Sequence, residues 1–211
     1  MALFPTAARS PRLRYELVHP DSFDPYEMYE HARSGAPDVD EITRWATWDP
    51  HAHPKETAAF VAFVGEQFDD DEGVTFAVYP RDGEDGAGEF AGTCGLSVDW
   101  NLRRGEFGVW FRKPFWGREY SGERARLLAA LAFDVLDLEL LTVTHDPDNE
   151  RSRRAIEKYV EALGGRRDGR IRNDVVMNGE PRDSVRYSVA AEEYRAATGD
   201  GREATFEWSE D

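Results

Sequence analysis

One segment of the sequence combines a strand, a glycine-containing loop and a helix in an order that suits an anionic ligand. The alternation over residues 106–111 predicts a strand, the loop spans residues 117–122, and the helix continues to about Leu136. The unpaired N–H groups and the positive dipole at the start of such a helix favour an anion. The nearby cations are Arg112, Lys113, Arg118 and Arg124. These features predict a diphosphate site, and the alternative is an ordinary strand-to-helix connection with surface arginines.

Two side chains near this segment are candidates to accept a proton. Glu106 lies on the predicted strand, where partial burial would raise the pKa of its carboxyl group. His145 ends a β-rich segment over residues 140–144, and an unperturbed imidazole titrates near neutrality. The alternatives are an ion pair with a neighbouring arginine for Glu106 and a solvated strand end for His145. Either group, or water alone, would serve a reaction that removes a proton from a nucleophile.

The composition excludes several classes of protein. The chain has 211 residues, 40% of them hydrophobic, which is enough for one domain with a sizeable core. Its 42 acidic and 26 basic residues give a net charge of −16, which disfavours nucleic acid and anionic membranes as partners. Such an acidic surface suits a protein kept soluble at high salt. The longest apolar run, residues 127–133, is far shorter than the ~20 residues that span a bilayer, so we expect a cytoplasmic protein.

Cysteine and histidine usage argues against a metal site. Cys94 is the only cysteine, which excludes an internal disulfide and a cysteine-rich zinc site. His51 and His53 are separated by one residue, but no third ligand stands at a suitable spacing. We therefore expect no metal, a loop at the two histidines, and Cys94 in the core.

The predicted elements form one domain, residues 1–198, of the α/β (α+β) class, with a mixed sheet packed by helices. Four helices are predicted: one over residues 25–33, one that begins at about residue 54, one that follows the loop at 117–122 and ends at about residue 136, and one from 149 to 163. Asp24 and Asn149 are the predicted N-caps of the first and the last. The acidic segment 199–211 is expected to fray. Strands are predicted over residues 12–18, 74–79, 90–100, 106–111, 140–144, 166–177 and 184–189, the last two around a turn at Asn178-Gly179.

Four short motifs follow one another at a characteristic spacing. They are Glu106-Phe107-Gly108, Trp116-Gly117-Arg118-Glu119-Tyr120-Ser121-Gly122-Glu123, Pro147-Asp148-Asn149-Glu150-Arg151-Ser152 and Glu157-Lys158. In this order they resemble the GCN5-related N-acetyltransferases, specifically the branch of ribosomal-protein alanine N-acetyltransferases (the RimJ/RimL type). The resemblance covers about residues 13–193, and it rests on the order and spacing of the motifs together.

The resemblance implies a fold, a donor and a reaction. The fold would be a mostly antiparallel sheet of about seven strands, splayed between the fourth and the fifth. The donor would be acetyl-CoA, with no metal. The acceptor would be a primary amine, either a protein N-terminal amine or a small-molecule amine, which attacks directly in a ternary complex. The resemblance leaves a homodimer open.

The resemblance also assigns cofactor-binding residues. Backbone groups of the fourth strand, at Val109, Trp110 and Phe111, would hold the pantetheine arm, and a backbone N–H there would stabilise the oxyanion. The pyrophosphate would lie against Trp116, Gly117, Arg118, Glu119, Tyr120, Ser121 and Gly122.

The catalytic candidates are Glu106, His145 and Asn149. Asn149 and Ser152 would also bond the pantetheine or its surroundings, although Asn149 would serve equally as a helix cap.

Two positions depart from the family's pattern. Glu119 replaces the second glycine of the pyrophosphate loop, which adds a negative charge beside the expected phosphates. Ile156 stands where many relatives have a tyrosine that protonates the departing thiolate. Tyr159 is the nearest alternative, but the helical period favours a core position for it. These departures support an alternative function, a coenzyme A-binding protein of the same fold without turnover.

Overall fold

A mixed sheet of nine strands runs through the computed structural model, which describes residues 2–177, 179–199 and 204–209. The strands are β1 (Ala7–Arg9), β2 (Leu13–Leu17), β3 (Gly73–Pro80), β4 (Gly92–Asp99), β5 (Arg104–Phe111), β6 (Leu140–His145), β7 (Arg166–Met177), β8 (Glu180–Ala190) and β9 (Thr205–Glu207). Across the sheet their order is β7-β8-β6-β5-β4-β3-β2-β1-β9. Only β5 and β6 run parallel among these neighbours. The predicted fold class, with a mostly antiparallel mixed sheet, is confirmed.

Six helices accompany the sheet in the described ranges. They are α1 (Pro25–Ala32), α2 (Val39–Thr43), α3 (Pro54–Asp69), α4 (Tyr120–Ala130), α5 (Glu150–Ala162) and α6 (Ala191–Thr198). α1 starts as predicted, because the Asp24 side chain accepts a 2.9 Å hydrogen bond from the N–H of Tyr26 and Pro25 suits the first position. α4 continues through a single π-turn, Leu131–Val135. Within the described residues, none of the helices has the length and apolarity needed to cross a membrane.

Hydrophobic side chains pack on both faces of the sheet. Phe76 and Val78 of β3 belong to a cluster that includes Leu128 of α4 and other residues of α4 and α5. Ala77 and Tyr79 belong to a second cluster with α1 and α3. Because successive side chains of a strand point to opposite faces, the sheet separates the two clusters. Burial of both faces fixes the register of β3, since a slip by one residue would exchange its two sets of side chains.

β5 and β6 pair at only three positions. The pairs run from Arg104 with Leu140 to Glu106 with Thr142, and the strands then part. Beyond that point β5 pairs only with β4, and β6 only with β8. Just before the strands separate, the side chains of Leu96 and Leu141 fill the space over Gly105, since a Cβ atom there would lie 2.7 Å from each. The predicted splay is therefore present, and β5 from Phe107 onward faces an opening.

α2 is fastened beside this opening. A short 3-10 helix, Lys113–Phe115, follows β5. The Lys113 ammonium lies 3.0 Å from an oxygen of Asp38 and 2.7 Å from one of Glu41. Asp38 precedes α2 and Glu41 lies within it, so the ion pairs bring α2 to the end of β5.

The far edge of the sheet differs from the prediction. The sequence does not predict β1 or β9, which raise the number of strands from about seven to nine. The expectation that the chain frays from residue 199 is wrong for Thr205–Glu207, because these residues pair with β1 and Phe206 packs on the first cluster. An unpaired strand edge presents N–H and C=O groups that favour such pairing. The predicted turn includes Asn178, which lies outside the described residues.

Candidate functional site

The splay opens a cleft between the two parted strands. A cavity of about 260 Å³ is lined by β5, β6, α4 and α5. Eight of the predicted site residues line it, and Trp116 of the loop is one of them. The structure thus brings together Val109, Trp110, Phe111, Trp116, His145, Asn149, Ser152 and Ser121.

A second cavity, of about 550 Å³, opens on the face of the sheet that carries α1 and α3. Met28 of α1 and Phe60 of α3 line it, and Glu106 of β5 faces it. Some residues line both cavities, so the two spaces meet where β5 and β6 part. These shared residues include Phe107, Val109, Trp110, Thr144, His145 and Asp146. A long ligand in the first cavity would therefore meet a ligand in the second without either crossing a paired region of the sheet.

The loop before α4 offers free donors. No hydrogen bond joins the backbone N–H groups of residues 117–121 to an acceptor in the described part of the chain. Gly117 and Glu119 both have positive φ, +77° and +65°, and this turns the loop sharply into the helix. Trp116 anchors the loop start, since its indole Nε1–H donates to the Phe111 carbonyl at 2.7 Å. The loop therefore has the open amides that an anion requires.

Two of the basic residues around the loop support it from behind. The Arg12 guanidinium donates to the Arg118 carbonyl at 2.9 Å and forms a two-point ion pair with Glu84, at 2.7 and 2.9 Å. Arg118 itself donates to the carbonyl and the carboxylate of Asp85, at 2.6 and 2.8 Å. The hydroxyl of Tyr120 also donates to Glu84. The side chains of Arg118 and Tyr120 thus brace the loop, and its amides remain the groups available to a ligand.

A third cavity, of about 350 Å³, lies directly over this loop. The cations that line it are not among the site residues predicted from the sequence. Arg151, Arg154 and Lys158 are three and four residues apart on α5 and line one side. Arg126 of α4 lines it as well. The spacing of these cations on one face of a helix, in a chain of charge −16, is the signal that could have revealed them.

Glu119 is turned towards this cation face. Its carboxylate forms an ion pair with Lys158, and this contact lowers the pKa of Glu119. Arg151 stacks over the Trp116 ring, with its guanidinium carbon 3.8 Å from the ring centre. The charge that Glu119 adds is therefore matched by a neighbouring cation, and its backbone N–H stays free.

Glu106 and His145 occupy different environments. Desolvation raises the pKa of Glu106 above its usual value, although Arg104 opposes this effect. His145 is only 6% exposed, and its Nδ1 lies 2.8 Å from the Asp146 carbonyl oxygen. A carbonyl only accepts, so Nδ1 carries the hydrogen of this contact. That Nε2 atom is buried without a hydrogen-bond partner in the described chain.

The start of α5 lies beside the same cleft. The Asn149 side chain accepts a 3.0 Å hydrogen bond from the N–H of Ser152, so Asn149 caps the helix as expected. Ile156 and Tyr159 follow on the inner face of α5, and both are buried in the core cluster. Tyr159 packs edge-on against Phe107.

The remaining candidates, Cys94 and His51, line the second cavity, but neither is assigned a chemical role. Cys94 is fully enclosed, and burial raises the pKa of its thiol to about 12. His51 forms a 2.7 Å hydrogen bond between its Nδ1 and the Thr57 hydroxyl. Within the described ranges, no three or more His, Cys, Asp and Glu side chains are grouped to hold a metal ion.

Known proteins resemble this chain in sequence. A family model described as an acetyltransferase (GNAT) domain matches residues 12–159. A protein of Bacillus subtilis (strain 168) named "Putative ribosomal N-acetyltransferase YdaF" is 30% identical over 105 residues, which are 48% of this chain and 55% of that protein. The chain therefore matches about half the length of this relative.

Solved structures share the fold. A GCN5-related N-acetyltransferase from Brucella melitensis superposes with a TM-score of 0.73 at 23% identity, over 90% of this chain and 81% of that one. A ribosomal-protein-S5-alanine acetyltransferase from Vibrio fischeri gives a TM-score of 0.71 at 14% identity, over 89% and 98%. The name of the Bacillus subtilis relative agrees with the expected RimJ/RimL-like branch. Because the family model spans most of the chain and the splayed sheet agrees with it, this protein belongs to the GNAT family of acetyltransferases, whose acetyl donor is acetyl-CoA.

Proposed function

We propose that the protein transfers the acetyl group of acetyl-CoA to a primary amine while both substrates are bound. The observation that carries this proposal is the meeting of two cavities at the splay. One lies beside the loop of residues 117–121 before α4 (the phosphate loop), and the other lies on the opposite face of the sheet. The first cavity would hold the donor (the donor cavity) and the second the acceptor (the acceptor cavity), so the two molecules would enter from opposite faces and meet at Phe107 and His145. Such an arrangement favours direct attack, because it holds the two reactants in one geometry.

The residues at the loop fit the phosphates of the donor. Five free amides, the start of α4 and the cations Arg126, Arg154 and Lys158 would hold the diphosphate and the further phosphate of coenzyme A. The backbone of β5 beyond Phe107 is unpaired on the β6 side and would bind the amide groups of the pantetheine arm. Asn149 supports this site as the cap that positions the N-terminus of α5.

Proton transfer is assigned to His145, with Glu106 in support. His145 lines both cavities, and its buried Nε2 has no hydrogen-bond partner among the described residues. It would remove the proton from the attacking amine. Glu106 faces the acceptor cavity and would attract a cationic amine by its charge. A backbone N–H of β5 would stabilise the negative charge that develops on the carbonyl oxygen.

The acceptor cavity favours an amine that carries an apolar group. Trp48 and Trp110 stand with their ring centres 5.4 Å apart, and both line this cavity beside the Glu106 carboxylate. The name of the Bacillus subtilis relative supports a protein N-terminal amine as the acceptor. A small-molecule amine is the alternative within the same reaction class.

The competing function is coenzyme A binding without turnover. Its support is Ile156, which replaces a proton-donating tyrosine of many relatives, together with Glu119. The ion pair of Glu119 with Lys158 weakens this support, because the carboxylate is neutralised and the loop amides stay free.

One assay separates the two functions. The protein is incubated with acetyl-CoA and a panel of amines, namely peptides with free N-termini, polyamines and amino acids, and free thiol is followed. We expect thiol release with at least one acceptor. Binding of acetyl-CoA without thiol release on any acceptor would support the competing function, and failure to bind acetyl-CoA would contradict both. The assay is run in dilute buffer and in molar KCl, since the acidic surface predicts a better-folded protein at high salt.

A further inference from the structure

Arg124 is a buried cation that has no carboxylate partner among the residues that the structure describes. It lies in the second turn of α4 and is only 1% exposed. One nitrogen, Nη2, donates to the Tyr159 hydroxyl at 3.3 Å. Its Nε and Nη1 atoms are buried and have no hydrogen-bond partner in the described chain. No acidic group of the described residues forms an ion pair with it.

Such a cation weakens the fold unless something offsets its burial. An unpaired buried charge costs several kcal/mol even after the protein relaxes around it. Two aromatic rings offset part of this cost, since the guanidinium carbon lies 5.2 Å from the centre of the Phe107 ring and 5.3 Å from that of Tyr159. An apolar side chain at this position would fill the same space without the cost. The positive charge of Arg124 therefore indicates a role towards a bound ligand.

The position of Arg124 indicates where that ligand would lie. Its side chain reaches from α4 to Phe107, the first residue of β5 after the last pair with β6. Arg124 lines the donor cavity, and Phe107 lines both that cavity and the acceptor cavity. The cation thus stands at the junction, where a donor anchored at the phosphate loop would present its thioester.

We propose that Arg124 stabilises the thiolate of coenzyme A that forms when the thioester bond breaks. The inference rests on the proposed function. The amine nitrogen forms a bond to the carbonyl carbon, the carbon–sulfur bond breaks, and its electron pair leaves on sulfur. The amine proton passes to His145, and a proton from His145 or solvent later converts the thiolate into the thiol. A fixed cation in a site of low dielectric favours the anion without reorganisation.

The charge of Arg124 already acts on acids beside it. It opposes the burial that raises the pKa of the Cys94 thiol, and it opposes the burial that raises the pKa of Tyr159. A sulfur atom of the donor in the adjoining cavity would experience the same field. Because Ile156 offers no proton at its position, a cation gives the leaving group a different means of stabilisation.

The test measures the pKa of the thiol of bound coenzyme A. The protein is saturated with coenzyme A, and the ultraviolet absorbance of the thiolate is followed against pH. In the unaltered protein we expect the pKa to lie about 1 to 3 pH units below that of free coenzyme A. In Arg124→Met it should return to the value of free coenzyme A, and in Arg124→Lys most of the lowering should remain. With a productive acceptor, Arg124→Met should lower kcat more than it raises KM for acetyl-CoA.

Arg126→Met is the matched control, since Arg126 is a neighbouring arginine on the same helix. It should weaken coenzyme A binding and leave the thiol pKa unchanged. If Arg124→Met leaves the thiol pKa unchanged, or weakens binding with no change in that pKa, the proposal is wrong. Thermal unfolding verifies that each variant folds, and Arg124→Gln replaces Arg124→Met if the latter does not. A lowered thiol pKa in a protein that acetylates no amine would refute the proposed function alone, whereas turnover with an unaltered thiol pKa would refute this inference alone.

Discussion

The hydroxyl of Tyr120 donates a 2.8 Å hydrogen bond to the carboxylate of Glu84, which joins the first residue of α4 to the connection between β3 and β4. Arg12 holds the same carboxylate at two points and also donates to the Arg118 carbonyl within the loop. Glu84 thus lies outside the proposed ligand site but fixes the backbone that forms it.

Glu84→Gln should therefore weaken coenzyme A binding through the position of the loop. An amide cannot replace the two-point ion pair with Arg12, so the loop amides lose their fixed direction. We expect the Kd of coenzyme A to rise several-fold and Tm to fall. Titration calorimetry and thermal unfolding measure the two effects. Glu89→Gln is the control, since Glu89 is an exposed partner of Arg112 at 3.4 Å, and an equal effect of both variants would contradict the assigned role of Glu84.

The same carboxylate predicts how stability depends on pH. Hydrogen bonds from Arg12 and Tyr120 lower the pKa of Glu84 to about 2. A carboxyl group with a lowered pKa in the folded state stabilises the fold above its unfolded pKa, and this contribution is lost as pH falls through the folded pKa. The contribution of Glu84 should thus decline between about pH 4.5 and pH 2. In acid unfolding, Glu84→Gln should lack this part of the decline in the free energy of unfolding that the unaltered protein shows. Identical pH profiles of the two proteins would contradict the role of Glu84.

Glu119→Gly should strengthen donor binding. The residue has a φ of +65°, a conformation that glycine adopts without strain, and its carboxylate engages Lys158 beside the phosphate cavity. Glycine frees Lys158 for a phosphate group and removes a like charge. We expect coenzyme A to bind a few times more tightly in dilute buffer, and the difference to shrink in molar salt because of screening. In a Lys158→Met background the gain should be smaller, and an undiminished gain there would show that the ion pair does not compete with the ligand.

Substitutions at His145 and Glu106 should affect different kinetic constants. His145→Gln removes the proposed proton acceptor, so kcat should fall by about 10²-fold to 10⁴-fold. Glu106→Gln should mainly raise KM for the amine, because the carboxylate attracts it. Burial raises the pKa of Glu106, so in the unaltered protein KM for the amine should rise as pH falls through that pKa. Glu106→Gln should lack this rise in KM. If kcat falls in Glu106→Gln and not in His145→Gln, Glu106 is the proton acceptor and the two assigned roles are reversed.

Local sequence signals predicted most of the elements that build the cleft. Asn149 and the 3.6-residue period of α5 are local features, and the helix starts at its cap as expected. The strand at Glu106 ends near Phe111 because Pro114 prevents its continuation, and this too is a local effect. The loop over residues 117–122 was also predicted from the residues themselves. The splay came from the resemblance, since the pattern of a single strand does not say where its pairing stops.

The rest depends on contacts between distant parts of the chain. β9 pairs with β1 across nearly 200 residues, and three-residue strands carry no period of their own. The cations of α5 lie at the site because α4 and α5 pack side by side. Arg124 was predicted as one of the cations around the loop, and no signal in the sequence indicated that the fold buries it between Phe107 and Tyr159. Burial of a single cation follows from three-dimensional packing that no short window of sequence contains.

The ion pairs of Lys113 and Lys158 bear on self-modification. Lysine side chains carry the same functional group as the proposed acceptor, and the chain has only three of them. Lys113 is bound by Asp38 and Glu41, which raise its pKa, and Lys158 is bound by Glu119. Among the described lysines, Lys55 at the start of α3 is the one outside these pairs. The arginines that supply the other positive charges carry guanidinium groups, so the protein keeps its cations while offering few lysine side chains to acetylate.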